Sequence, residues 1–432
     1  MKKKAISVKK NLMSLIHEMS QTPDLFVKNP GKDFTRNRKL PMETMLKLLI
    51  SIGGGSLAKE LLAFHDFNPS TATTSAFIQQ REKLLPRAFE FLLRKFTTTA
   101  PPKYFHGYRL LAVDGSDIHV PTNPEHEDSY FSGDGHTKGY NLLHLNAIYD
   151  LCSKLFMDAL LQPCKRLNEH LALTIMTDRS HITDKVILVA DRGYESYNNI
   201  AHLEQKGWNY VIRVRGKSGI VSRLCLPETN EFDVPISFSL TRKQTKQVKL
   251  QPRRYCFLPS TTHFDYLDDA NRQYPMKFRV VRLKIADNCY ETLLTNLNPC
   301  EFPACVLKNV YRLRWGIETS FRELKYAVGL LNFHSKKVEY VTQEIFAQLI
   351  MYNFSMMITS SVIIRQNGTK YAYQVNFTQA IHICSVYFRC RNGTPPDVEA
   401  LIRRYILPIQ PERSNRRNIR YHSAVSFLYR IA

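Results

Sequence analysis

No pair of cysteines in this chain has the Cys-x-x-Cys spacing. The nine cysteines are scattered from Cys152 to Cys390, which fits neither a disulfide framework nor a zinc site. An unbroken bilayer-length apolar run is also lacking. The most hydrophobic stretch, Ile345 to Ile364, is interrupted by Gln348, Asn353, Ser355, Thr359, Ser360 and Ser361 and reads as a buried helix, so no membrane partner is expected. The basic start, Met1 to Lys4, leads into an apolar run from Leu12 to Ile16 that stops at His17 and Glu18, too short for an export signal. A reducing cytoplasm is the expected location. Tryptophan is limited to Trp208 and Trp315, and acids are scarce, with 38 Asp and Glu against 60 Lys and Arg for a formal net charge of +22. That balance points to a polyanionic partner. With 44% hydrophobic residues over 432 positions, the chain is not disordered and can bury at least one full core, in two or three domains.

The few acids are placed informatively. Arg109-Leu110-Leu111-Ala112-Val113-Asp114 and Lys185-Val186-Ile187-Leu188-Val189-Ala190-Asp191 each end a strand-like apolar run on a carboxylate, and Glu318 lies in the helical stretch from Tyr311. An ionised carboxylate at the edge of an apolar core is costly to desolvate and persists where a cation or strong donors compensate it. Magnesium or manganese suits such a set, because these hard ions prefer oxygen ligands. Phosphodiester chemistry on nucleic acid is the leading expectation.

Residues 1–100 read as helical and basic. Pro41 stands at a tolerated first-turn position, Gly53-Gly54-Gly55 breaks the pattern, and Ser56 can cap the next helix. A third run presents Gln79, Gln80, Arg81 and Lys83 beside an apolar face, as a helix-turn-helix-like DNA reader does. The same pattern fits a helical cap with an ordinary solvated face. Removal of this region is expected to leave the rest folded. From 101 to 215 the periodicity turns to strands, with a helix at Tyr197 to Lys206, as in an α/β layer fold. Residues 216–300 form a β-rich insertion with a charge run at Arg242, Lys243, Lys246, Lys249, Arg253 and Arg254 that either faces solvent or meets phosphates. Helical pattern resumes over 301–380, including Cys305 to Leu330, and 381–432 is a basic C-terminal segment with Arg413, Arg416, Arg417, Arg420 and Arg430.

At about 100° per residue, Tyr311, Arg314, Glu318 and Lys325 share one helix face within about 60°. Such a ridge suits a scissile phosphate, with Glu318 on metal, Arg314 forked onto phosphate oxygens and Lys325 as a point charge. Exposed i,i+4 pairing of Arg314 with Glu318 explains the same spacing equally well. Asp117 reads as a turn cap or a partner of the acids, and His119, His136, His144 and Lys138 as surface or supporting groups.

Tyr311-x-x-Arg314-x-x-x-Glu318 followed by Lys325 matches the Tyr-Arg-Glu-Lys signature of DDE-class insertion-sequence transposases in the family named after insertion sequence four. Val113-Asp114-Gly115-Ser116 resembles that family's first-aspartate region, Ala190-Asp191-Arg192-Gly193-Tyr194 its second, and Leu293-Leu294-Thr295-Asn296-Leu297 the strand before its glutamate helix. The resemblance implies an α/β fold: a ribonuclease-H-like catalytic core with a β-rich insertion and an N-terminal helical DNA-binding domain. It further implies two Mg2+ ions, with Mn2+ able to substitute, on Asp114, Asp191 and Glu318. Double-stranded DNA is the implied partner, as terminal inverted repeats and target, bound by a homodimer on paired ends in the bacterial, nucleoid-associated cytoplasm. Trp315 matches the family and is expected to support the site from behind. Relatives that form a DNA hairpin stack a base on tryptophan where this chain has Asn288-Cys289-Tyr290-Glu291, so Tyr290 is the candidate platform, although a β-strand tyrosine also serves plain packing. A catalytically inactive, transposon-derived DNA-binding protein is the alternative function.

Overall fold

The computed structural model describes residues 3–36, 38–134, 138–216, 219–268, 272–364, 366, 371–390, 396–409 and 428–429. Five helices come first: α1 (Lys3–Gln21), α2 (Met42–Ser51), α3 (Leu57–Phe64), α4 (Thr74–Arg81) and α5 (Arg87–Thr97). Thr73 caps α4 by accepting from Ala76 N at 3.2 Å, whereas Ser56, at the start of α3, makes no side-chain cap.

The middle of the chain builds one ten-stranded mixed sheet. Its strands are β1 (Arg109–Val120), β2 (Tyr130–Phe131), β3 (Tyr140–Asp150), β4 (Leu155–Pro163), β5 (Val186–Ala190) and β6 (Asn209–Val214), then β7 (Phe232–Thr241), β8 (Tyr255–Phe257), β9 (Gln273–Ala286) and β10 (Cys289–Thr295). β3 lies antiparallel to both β1 and β4, while β1, β5 and β6 run parallel. Helices α6 (Glu169–Asp178) and α7 (Tyr197–Gln205) make the crossovers that parallel pairing requires. The β-rich segment continues this sheet, because β10 pairs with β6 on one side and β9 on the other. A short helix α8 (Lys246–Leu250) sits within it.

β5, Val-Ile-Leu-Val-Ala, is buried on both faces, as central parallel strands are. Its residues alternate between two cores. Ile187 and Val189 join Leu110, Val211, Leu293, Leu307 and Val310, which is the face covered by α9 (Ala304–Leu313). Leu188 and Ala190 join the larger cluster on the other face. After α9 come α10 (Trp315–Glu323), then α11 (Val338–Thr359), α12 (Phe377–Arg389) and α13 (Val398–Arg404).

Nearly all of α11 is buried. Several of its polar residues are docking points, paired as burial demands. Asn353 accepts from Phe156 N at 2.9 Å and donates to Phe156 O at 2.8 Å, Gln343 donates to Leu84 O at 2.8 Å, and Tyr352 donates to Glu323 at 3.0 Å. Among the described residues no helix is long and apolar enough to cross a membrane.

The N-terminal helices share the core of the sheet, since Leu12, Ile16, Met45, Phe89 and Leu92 belong to the same cluster as Leu188 and Ile345. Their removal would uncover α11, contrary to the expectation that the remainder stays folded. The reading of Gln80 and Arg81 as DNA contacts is likewise corrected. Gln80 is buried, and Arg81, only 2% exposed, donates to Glu344 at 2.7 Å, Gln343 at 2.8 Å and Tyr340 O at 2.5 Å. Burial pushes the Glu344 carboxyl up, but Arg81 and His334 hold it below the usual range. Arg81→Ala strands that buried carboxylate and should cost about 3–5 kcal/mol in urea unfolding. A loss under about 1 kcal/mol, the surface-pair range, would show that the pair does not anchor these helices.

Candidate active site

The parallel register pairs Ala112 of β1 with Val189 of β5. Extending that register two residues sets Asp114 beside Asp191, the residue that follows β5. Asp191 ends its strand as expected and caps the next turn, its Oδ1 accepting from Gly193 N at 2.8 Å. Asp114 does not end a strand. β1 runs on to Val120, paired with β3 throughout, and Asp114 lies where β1 loses its parallel neighbour β5. Its Oδ1 accepts from Gly115 N at 2.9 Å.

The expected continuous helix from Cys305 to Leu330 is broken. Bonds of the i,i+3 kind, Arg314 N to Tyr311 O at 3.1 Å and Ile317 N to Arg314 O at 3.0 Å, tighten it around Arg314, between α9 and α10. Beyond α10 a π turn covers Leu324–Val328 and ends on Gly329 at φ 106°, a left-handed stop that glycine adopts without strain.

These breaks aim the side chains. Arg314, 6% exposed, donates through Nη1 to Asp114 Oδ2 at 3.1 Å and through Nη2 to Glu318 Oε1 at 2.7 Å. The pairing with Glu318 is thus i,i+4 but buried and three-membered, unlike a surface pair. Arg314 Nε is buried with no hydrogen-bond partner among the described residues. Lys325, on the π turn, donates to Asp117 O at 2.7 Å. Tyr311 is buried, its ring 5.8 Å from Arg314 Cζ. Trp315 is 55% exposed, so it does not back the site, and Arg314 Cζ lies 5.5 Å from its ring. Tyr290 is half-buried at the β10 bulge, with Arg282 Cζ 5.5 Å from its ring.

Burial pushes the Asp114 carboxyl up to about 6; Gly115 and Arg314 oppose the rise, while the charges of Asp191 and Glu318 add to it. The charges of both other predicted acids are therefore felt at Asp114. Behind them lies a second network that sequence reasoning missed in part. His144 is bracketed by Asp117 on Nδ1 at 2.6 Å and Glu169 on Nε2 at 3.2 Å. Burial lowers its pKa, yet the two carboxylates lift it to about 9. Asp117 stands mid-strand, not in a turn, and His119 and His144 are buried, not on the surface; His136 lies outside the described residues. Cys164 donates toward Asp117 at 3.6 Å, with burial pushing its thiol up to about 12. Asp117, His144 and Cys164 are close enough to share an ion, but a charged imidazole and a protonated thiol are poor ligands.

Residues 105–354 match the family model described as the transposase DDE domain. The chain belongs to that family. It is a DDE transposase of the insertion-sequence-four kind, an enzyme of the nuclease and transferase class. It is 24% identical over 345 residues to the transposase InsG for insertion sequence element IS4 of Escherichia coli K12, covering 74% of this chain and 70% of that one. It is 25% identical over 185 residues to the putative transposase InsZ of the same organism, covering 40% of this chain and 61% of the other. A piggyBac transposase synaptic complex with hairpin DNA is 11% identical, with a TM-score of 0.41 over 89% of this chain and 80% of that one.

The DDE transposase domain implies divalent metal in general, and this transposase's donors fit one. The Asp114 and Glu318 carboxylates that meet at Arg314 are hard oxygen ligands, and Arg314 neutralises that pair only in part.

Asp114 gives a testable linkage. Its folded-state pKa lies above its ordinary 3.8, so its ionised form destabilises the fold above about pH 6, and that cost fades as pH falls toward 3.8. Asp114→Asn should raise metal-free stability at pH 7.5 by up to about 3 kcal/mol, and the gain should disappear near pH 4. Parallel denaturation curves for the two proteins at every pH would contradict this.

Proposed function

We propose that this transposase cleaves the ends of its element and joins them to target DNA by phosphoryl transfer at Asp114, Asp191 and Glu318. The observation that carries the reading is the Arg314 bridge, which draws the strand acid Asp114 and the helix acid Glu318 to one buried guanidinium. Two Mg2+ ions, replaceable by Mn2+, would supply activation of the attacking oxygen and stabilisation of the leaving one when bound to these carboxylates. Arg314 turns its unpartnered Nε to a phosphate oxygen, a planar donor where an ammonium offers only a point charge. Lys325, lowered in pKa by burial, adds a positive charge beside Asp117, and Tyr311 packs against Arg314 to fix its plane. Cleavage and joining become one in-line displacement with water or a DNA 3′-hydroxyl as nucleophile.

We read the sheet as ribonuclease-H-like, from antiparallel β4-β3-β1 continued by parallel β5 and β6. On this reading 101–215 and 301–380 form the core, 216–300 the insertion and 381–432 a basic segment, while 1–100 are the helical DNA-binding part. With Arg81 buried, the basic residues around the cavity of about 380 Å3 at Lys32, Arg36, Arg38 and Lys83 are the better phosphate contacts there. Exposed Lys243, Lys246, Lys249, Arg253 and Arg254 serve the insertion. A cleft of about 800 Å3 beside Gly193, lined also by Arg192, Arg215 and Phe257, is the path for the strand. Trp315 is the more open stacking face for a displaced base, and Tyr290 the second. Two ends need two such sites, so a homodimer acts on paired ends, in the bacterial cytoplasm on nucleoid DNA.

Alanine at Asp114, Asp191 or Glu318 should lower cleavage of an end duplex at least about a thousandfold while circular dichroism remains native. Arg314→Lys should also be strongly defective, about a hundredfold or more, since an ammonium cannot fork to two carboxylates and a phosphate. Near-normal cleavage by Arg314→Lys would remove the bridge from the mechanism.

A further inference from the structure

We propose that Glu169 is a fourth carboxylate of this centre, directing one oxygen toward the metal-binding side of Asp191 while His144 holds the other. The proposal rests on the assignment of Asp114, Asp191 and Glu318 as the metal-binding acids, and the experiment below separates the two.

Glu169 is the first residue of α6, fixed by Asn168, whose side chain accepts from Leu171 N at 2.9 Å. Its Oε1 lies 3.2 Å from His144 Nε2. Two glycines show what it is wedged against. A Cβ on Gly115, the residue after Asp114, would stand 2.0 Å from His144 Nε2 and 2.9 Å from Glu169 Oε1. A Cβ on Gly193 would stand 3.0 Å from Asp191 Oδ1 and 3.4 Å from Glu169 Oε2. Glu169 therefore lies with one oxygen against β1 at Gly115 and faces Asp191 with the other, across a glycine that leaves the space open.

A second, independent feature lies near the same carboxylates. Tyr194 is 1% exposed, and its buried hydroxyl has no hydrogen-bond partner among the described residues. That hydroxyl lies in the field of Glu169, then of Asp114 and Asp191. An orphaned buried donor is costly and marks a missing partner.

Glu169 is not needed to hold His144, because Asp117 already lies 2.6 Å from its Nδ1.

The test is Mn2+ binding by the full chain without DNA, followed by electron paramagnetic resonance of free Mn2+ and by the Mn2+-induced rise in melting temperature. Glu169→Gln keeps the shape and should weaken Mn2+ affinity about 10- to 100-fold, with a smaller melting shift. Wild-type affinity in Glu169→Gln, alongside lost binding in Asp191→Asn, overturns the role of Glu169 alone. Wild-type affinity in Asp191→Asn overturns the underlying assignment. Should Glu169→Gln fail to fold, Glu169→Asp, which keeps the charge but draws the oxygen back, should show the same weakening, and unchanged affinity there overturns the proposal.

Discussion

The Arg314 guanidinium is the contact on which the centre depends. Its bonds to Asp114 and Glu318 join a strand near the start of the sheet to a helix beyond the β-rich segment, closing a long loop of chain on one buried charge. Carboxylates at such a place are costly to desolvate, and a single cation between them offsets only part of that cost. The raised Asp114 carboxyl registers the remainder. A structure evolved for stability alone would replace such a cluster with apolar side chains. Keeping it leaves the free protein with an uncompensated cost at Asp114.

Backbone irregularities near the centre follow from that constraint. A regular helix would carry Arg314 and Lys325 along one ridge, whereas the tightened step at Arg314 and the π turn at Lys325 aim them at different partners, Asp114 and the backbone of Asp117. Glycines at 115 and 193 have a related reason. Each stands next to an acid, where any side chain would collide with the Glu169 and His144 layer or crowd Asp191.

How much of this was legible in the sequence depended on the range of each interaction. Asp114 and Asp191 stood out because an acid ending an apolar run is conspicuous whatever it meets, and Glu318 through its helical spacing from Tyr311 and Arg314. The extent of β1 did not, because Gly115-Ser116-Asp117 breaks the apolar pattern and only pairing with β3 keeps it extended. His144 and Asp117 became partners through their register across β1 and β3, which no spacing encodes, and Glu169 required a helix start folded against both. Arg81 was misread for the same reason. On its own helix it resembles a polar face, and its partner Glu344 lies 263 positions away. The polar breaks in α11 marked it as a buried helix, yet the use of Asn353 as a docking point is visible only with Phe156 in place.

Helix α11 also explains why the N-terminal helices and the acidic centre form one mechanical unit. Glu344, on its first half, is held by Arg81 of α4; Tyr352, two turns on, binds Glu323 at the end of the helix that carries Glu318. The first contact is buried and the second partly so, and each tolerates little displacement before leaving a polar group unpaired. The orientation of α10 is thereby set from two sides, by Arg314 at its start and by Tyr352 at its end. The N-terminal helices and the acidic centre are thus placed relative to one another by side-chain bonds through a shared core, and not by a flexible linker.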